Sequence, residues 1–267
     1  MKRECIHIIF GRIFSLCILI GPLVGLRASA WERMRSYHAC DMVSRDVKCA
    51  AKKNRKDTCQ MTSTRMRRDP KFLRNGFSCE GEFEITIIHR EVLPQGPIDL
   101  VACSRTRKDD TEANRRKGVH FFVDDYRFDV LRRRPDANIE KFRQYAFILS
   151  PDFSRYNEMP TWKVIEAVGM NRWQGAYWQQ QGMKVFPSVG WATPYSYRYC
   201  FHGVERNAPI AVTTNGNRMG KREYLHGYDA MLDALAPSVI ICLGKPFAEM
   251  RGNVVCVKYD IFRRKEA

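Results

Sequence analysis

From residue 118 onward, short β-branched and aromatic runs alternate with longer stretches of helical periodicity. Val119-His-Phe-Phe-Val123, Ala146-Phe-Ile-Leu149, Lys184-Val-Phe-Pro-Ser-Val189, Pro209-Ile-Ala-Val-Thr-Thr214, Ser238-Val-Ile-Ile-Cys-Leu243 and Asn253-Val-Val-Cys-Val257 each predict a short strand. Pro187 weakens the third of these, because proline removes a ladder donor. Residues 128–145 are helix-like but interrupted by Pro135. A long helix starts near Pro160, whose missing N–H costs nothing in a first turn, and ends at Gly182. Its stripe is Trp162, Ile165, Val168, Trp173 and Tyr177. A second helix over 221–235 places Leu225, Tyr228, Leu232 and Leu235 on one side and stops before Pro237.

Strands that alternate with helices predict parallel pairing through crossover connections. The fold class is therefore α/β: a partial or distorted (β/α) barrel, or an open parallel sheet. A complete eightfold barrel typically takes about 250 residues, more than this region supplies. Upstream, residues 82–89 alternate at first and predict a strand that pairs at the sheet edge. Pro94, Gly96 and Pro97 then mark a turn, and the polar stretch 104–117 predicts an exposed loop. The organisation is a signal-peptide-like segment over 1–30, a basic and largely irregular segment over 31–81, an edge strand and charged loop over 82–117, and an α/β core over 118–260.

Charge adds a possible partner. The net charge is +16, and residues 31–75 alone hold 13 Lys/Arg against 5 Asp/Glu. A field of that sign attracts polyanions such as nucleic acid or an anionic membrane surface, although charge does not identify the partner. Lys52, Lys53, Arg55, Arg65, Arg67, Arg68, Arg115, Arg116 and Lys117 are the phosphate-contact candidates. The N-terminus carries Lys2, Arg3 and Arg12, an apolar run from Ile13 to Leu26, then Ala28-Ser29-Ala30, the order of a cleavable export signal. Its centre is short and broken by Gly21-Pro22, so it is no stable transmembrane segment. Export would favour disulfides. Against export, Cys242 and Cys256 sit in apolar strand contexts, the commoner home of a free cysteine. Cys40, Cys49, Cys59 and Cys79 lack the tight pairs of a zinc site. A start codon later than Met1, at Met42, Met61 or Met66, is a further reading.

Leu149-Ser-Pro-Asp-Phe-Ser154, Gly175-Ala-Tyr-Trp178, Val185-Phe-Pro-Ser-Val-Gly-Trp191, Gly227-Tyr-Asp229 and Cys242-Leu-Gly244 follow one another in an order that resembles the bacterial and phage "domain of unknown function 4417" family. The resemblance covers about 118–260. It implies an intracellular phage- or mobile-element-type protein, cytoplasmic rather than exported after cleavage near Ala30. It brings no catalytic residues with it.

In parallel sheets, ligands bind beyond the carboxyl ends of the strands. That rule selects Asp124 and Asp152 as paired carboxylates for acid/base work or for a divalent cation. It also selects Asp125, Ser150, Trp191, Thr214, Asn215 and Lys245, of which Thr214, Asn215 and Lys245 are binding candidates, and Trp191 with Tyr195, beside Pro194, offers a stacking surface for a base or sugar. Helix capping is the plainer role for Asp152 and Ser154. Gly216-Asn-Arg-Met-Gly-Lys221 has three residues between its glycines and Arg222 after its lysine, so it fails as a nucleoside-triphosphate loop. His202 with Glu205, and His226 with Asp229, have helical spacing but no third ligand, so no metal site is assigned. Three functions remain: nucleic-acid contact, a hydrolase-type enzyme using Asp124 and Asp152, or a non-catalytic interaction module. The sequence leaves the cofactor open.

Overall fold

The computed structural model describes residues 63–64 and 76–258. The signal-peptide-like segment, the basic segment to residue 75 apart from residues 63–64, and its candidate contacts Lys52, Lys53, Arg55, Arg65, Arg67 and Arg68 lie outside the described residues. So do Cys40, Cys49 and Cys59.

A two-residue hairpin comes first: β1 (Cys79–Glu80) pairs antiparallel with β2 (Ile85–Thr86). Next come β3 (Leu100–Ala102), a short helix α1 (Glu112–Arg115), β4 (Gly118–His120), two single-turn helices α2 (Val130–Arg133) and α3 (Ile139–Phe142), and β5 (Phe147–Leu149). The long helix α4 (Thr161–Gln180) leads to β6 (Val185–Phe186). Then follow α5 (Tyr197–Cys200), β7 (Ile210–Thr213), α6 (Lys221–Leu235), β8 (Ile240–Leu243) and β9 (Val254–Val257).

Strands β3 to β6 form one parallel sheet and β7 to β9 another, each in chain order. A parallel bridge between Ser188 and Ala211 continues the pairing from β6 to β7. All six expected strands are present, and β3 adds a seventh. Pro187 interrupts β6 as expected: its carbonyl accepts from Ala211 N (2.9 Å), but it has no N–H to give.

Both faces of these strands are apolar, and alternate residues enter different cores. Phe147, Leu149, Phe186, Ala211, Ile241, Leu243 and Val257 share one cluster. Ile148 and Val185 face a second cluster, with Ala167, Met170 and Trp178 of α4. Ile210, Val212, Ile240 and Cys242 face a third, with Tyr228, Met231 and Leu235 of α6. Leu100 of the first parallel strand packs on the same inner cluster as Val257 of the last. One inner core shared by both outermost strands means that the sheet curves, giving a partial (β/α) barrel with helices outside.

Two expectations change. Residues 82–89 do not form one strand at the sheet edge. Gly81–Glu84 is a turn with Glu84 at φ 49, and the backbone of Ile88 donates to Gly203 O (2.9 Å). Ile85, Thr86 and Ile88 are all buried, and this segment packs on α4 rather than on the parallel strands. The stretch 104–117 is not simply an exposed loop: Thr106 and Asp110 are buried, and Thr111 caps α1 through Asn114 N (3.3 Å). Among the described cysteines, Cys242 is buried as expected but Cys256 is exposed, and Cys79, Cys103, Cys200, Cys242 and Cys256 are all free thiols. No helix among the described residues is long and apolar enough to cross a membrane.

Candidate functional site

The carboxyl ends of the parallel strands open into two adjoining cavities. The larger, about 1170 Å3, is lined from residues at or beyond the ends of β3, β4, β5, β7, β8 and β9. Arg105, Arg107, Lys117, Arg127 and Lys258 give it a cationic wall. Its carboxylates are Asp110, Asp124 and Asp152. The smaller, about 580 Å3, is lined by the loops after β5, β6 and β7 and by the first turn of α6. Asp152, Ser154, Tyr156, Thr213, Asn215 and Gly216 line both.

The three carboxylates of the larger cavity stand in different surroundings. Asp110 accepts from the Tyr145 hydroxyl and from Asn114 Nδ2 (2.9 Å). These bonds hold its carboxyl down at about 2, while burial, aided by the bond to Asp110, pushes the Tyr145 hydroxyl up to about 12. Asp124 is 71% exposed, with Arg127 Nε 3.8 Å away. Asp152 is tied to the Arg155 guanidinium, yet burial outweighs that cation and raises its carboxyl. Asp152 and Ser154 do not cap a helix, since α4 begins at Thr161 behind Pro160. Asp125 fixes their loop instead. It accepts from Ser154 N (3.1 Å) and Oγ (2.8 Å), and it faces Arg132 at 3.6 Å. Gly190 makes room for Arg155, because a Cβ there would lie 2.5 Å from the guanidinium.

Beneath this loop, side chains replace part of the strand ladder. Ser150 Oγ donates to Asn171 Oδ1 (2.8 Å) and accepts from Ser188 N (2.8 Å), while Ser188 Oγ donates to Ser150 O (2.7 Å). The fully buried Arg172 donates to the carbonyls of Ser188 (2.8 Å), Cys200 (3.0 Å) and His202 (3.0 Å). Burial lowers its pKa to about 9, and those carbonyl acceptors favour the charged form. The network makes a rigid floor.

His120, at the end of β4, lies in the wall of the larger cavity and is 5% exposed. Its Nδ1 accepts from Phe122 N (3.2 Å), which leaves the ring proton on Nε2. Burial and the neighbouring Arg105 push its pKa down to about 4, so the ring is neutral near pH 7.

The expected site residues divide. Asp124, Asp152, Asn215 and Lys117 meet in the larger cavity, and Trp191 joins Asp152 and Asn215 in the smaller. Tyr195 and Lys245 line neither. Tyr195 is exposed, with the Arg198 guanidinium 5.1 Å above its ring. Thr214 is buried and its hydroxyl donates to Lys245 O (3.0 Å). Trp191 is half-buried and lays its ring against α6, where a Cβ on Gly227 would lie 2.1 Å from its Nε1. Arg115 and Arg116 also lie away from the cavities, and Arg116 Nε pairs with Glu112 (3.2 Å). Lys221, at the failed triphosphate loop, pairs with Glu249 (2.7 Å). Glu205 is held by His89 (3.1 Å) and Arg90 N (2.6 Å), and Asp229 by Arg251 (2.8 Å). Among the described residues no three His, Cys, Asp or Glu side chains gather as metal ligands.

Sequence reasoning missed His120, Arg105, Arg107, Arg127 and Tyr224. A signal existed for Arg105 and Arg107: only two residues separate their charged run from the apolar Leu100-Val-Ala102. No local signal marks His120, an isolated histidine in an apolar strand.

A family model described as a domain of unknown function (DUF4417) matches residues 77–260. The Gene 1 protein of Mycobacterium phage L5 is 32% identical over 152 residues, 56% of this chain and 66% of that protein. The Gene 1 protein of Mycobacterium phage D29 is 33% identical over 152 residues, which is 56% of each chain. The chain thus spans less than two thirds of either relative. No solved structure matches it.

Proposed function

The chain belongs to the DUF4417 family, and from that premise we propose that it is a phage-type protein whose strand-end cavity contacts single-stranded nucleic acid. The observation that carries this reading is the placement of Arg105, Arg107, Lys117, Arg127 and Lys258 around one concave wall. Asp152 is neutralised by Arg155, so five cations face only Asp110 and Asp124 and the lining stays cationic toward a ligand. A cavity of about 1170 Å3 has room for a backbone segment of one strand, and a cationic groove with aromatic side chains is the usual means of holding one. Free thiols at all five described cysteines and the phage relatives support a cytoplasmic setting.

Fluorescence anisotropy with a labelled single-stranded 12-mer tests the proposal across a salt series. Affinity falls steeply with salt, with a log–log slope of about −0.7 for each phosphate neutralised. The Arg105→Ala/Lys117→Ala/Arg127→Ala variant binds more weakly and loses about two units of that slope. Salt-independent binding, or a triple variant equal to the wild type, refutes the reading.

The second reading is a hydrolase in which Asp124 and Asp152 act on a ligand in the same cavity. It draws support from the joint placement of the two side chains and from the raised carboxyl of Asp152, a property of acid/base groups. On that reading Asp124→Asn/Asp152→Asn abolishes cleavage of an oligonucleotide without lowering the melting temperature. A double variant that simply unfolds assigns the pair to structure.

A further inference from the structure

We infer that the smaller cavity is a nucleobase pocket, so that one nucleotide unit lies with its base there and its phosphate in the larger cavity. This deepens the single-strand reading and rests on it. Two compartments that share a wall differ in charge. Five cations stand around the larger cavity. The smaller has only Arg155 against Asp152, Glu158 and Glu223, and it adds the neutral groups Asn215, Asn217 and Tyr224. A phosphate is repelled from such a lining. A planar neutral ring with donors and acceptors on its edge is not.

Two polar atoms in that lining lack partners. The Tyr224 hydroxyl is buried, in a residue 7% exposed, and makes no hydrogen bond among the described residues. Asn215 Nδ2 is likewise buried and unbonded. An unmet buried polar group is costly, and native interiors leave few of them. Both atoms are covered in the free protein, so a ligand with a polar edge relieves that cost by drawing either side chain toward the cavity. Both residues line the smaller cavity, and Asn215 stands at the wall where the two cavities meet.

Aromatic surface is present too. Tyr156 lines both cavities with a 59% exposed ring, steadied by its hydroxyl donating to Ser154 Oγ (3.1 Å). Trp191 lines the smaller cavity and is held at 5.1 Å from Tyr224. Base–aromatic stacking tolerates any base, whereas edge contacts discriminate among bases.

The test is calorimetric titration of the full chain with the four deoxynucleoside 5′-monophosphates and with deoxyribose 5-phosphate, which has no base. At least one nucleotide binds about tenfold more tightly than the sugar phosphate. Tyr224→Phe removes a hydroxyl that has no partner in the free protein, so it leaves the melting temperature level or raised. The same substitution weakens nucleotide binding by about five- to tenfold and leaves sugar-phosphate binding unchanged. Asn215→Ser supplies an independent variant with the same pattern. If every nucleotide binds no better than the sugar phosphate while the 12-mer still binds, the base pocket is refuted and the cationic contact stands. If the 12-mer fails as well, both fall. If nucleotide affinity is unmoved in both variants, the assignment of these residues is overturned.

Discussion

At the scale of single residues, His120 and Asp110 both withdraw stability in acid, in two successive pH windows. An imidazole in an unfolded chain titrates near 6.5, whereas burial and Arg105 push that of His120 down to about 4. As pH falls through 6.5 the unfolded chain takes up a proton that the folded protein refuses. This contribution is complete above about pH 6.5 and is lost progressively toward about pH 4, by up to about 3 kcal/mol. Thermal melts between pH 7 and pH 4.5 therefore show a falling melting temperature, and His120→Asn flattens that fall. An undiminished slope in the variant refutes the assignment. Asp110 acts lower on the scale. Its carboxyl is depressed to about 2 by Tyr145 and Asn114, so its contribution persists down to the ordinary carboxylate range and is lost only as pH approaches 2. Neither residue was legible in the sequence. His120 gains its character from being sealed in a wall, and Asp110 from Tyr145, 35 residues away.

At the scale of elements, legibility followed the strength of the local pattern. Helix α6 matches its predicted span of 221–235, because Leu225, Tyr228, Leu232 and Leu235 keep period and Pro237 forbids continuation. It closes on Ala236 in a left-handed conformation (φ 43, ψ 54), a position that suits glycine. Strain there costs about 1–2 kcal/mol, while glycine adds about 0.4–1 kcal/mol of unfolded-chain freedom. Ala236→Gly accordingly stabilises by about 0.5–1 kcal/mol and raises the melting temperature by about 2 °C. A lowered value in calorimetry overturns the argument. Strand β3 escaped notice because Leu100-Val-Ala102 is only three residues long and runs into charge. It becomes a strand through its neighbour β4, with Leu100 opposite Gly118 and Ala102 opposite His120. Residues 82–89 misled in the opposite direction: their alternation is real, but Gly81–Glu84 turns back and the remainder buries consecutive side chains on α4.

At the scale of the whole molecule, parallel pairing and the α/β class were legible because both sheet faces are buried and read as continuous apolar runs. The site was legible only as a rule about strand ends. That rule located Asp124, Asp152, Asn215 and Trp191. It did not reveal that three cations of the larger cavity, Arg105, Arg107 and Lys117, come from a segment read as loop, or that Tyr195 and Lys245 lie elsewhere. Those facts depend on curvature, which no local window encodes. Strand order brings one further consequence. Each parallel strand pairs with the one made just before it and waits for nothing made later. A nascent chain leaving the ribosome can therefore lay down its barrel staves one at a time from the amino end. The pocket itself has no such head start: Arg105 is synthesised early, Lys258 close to the end, and the two face one cavity only after the last stave is seated.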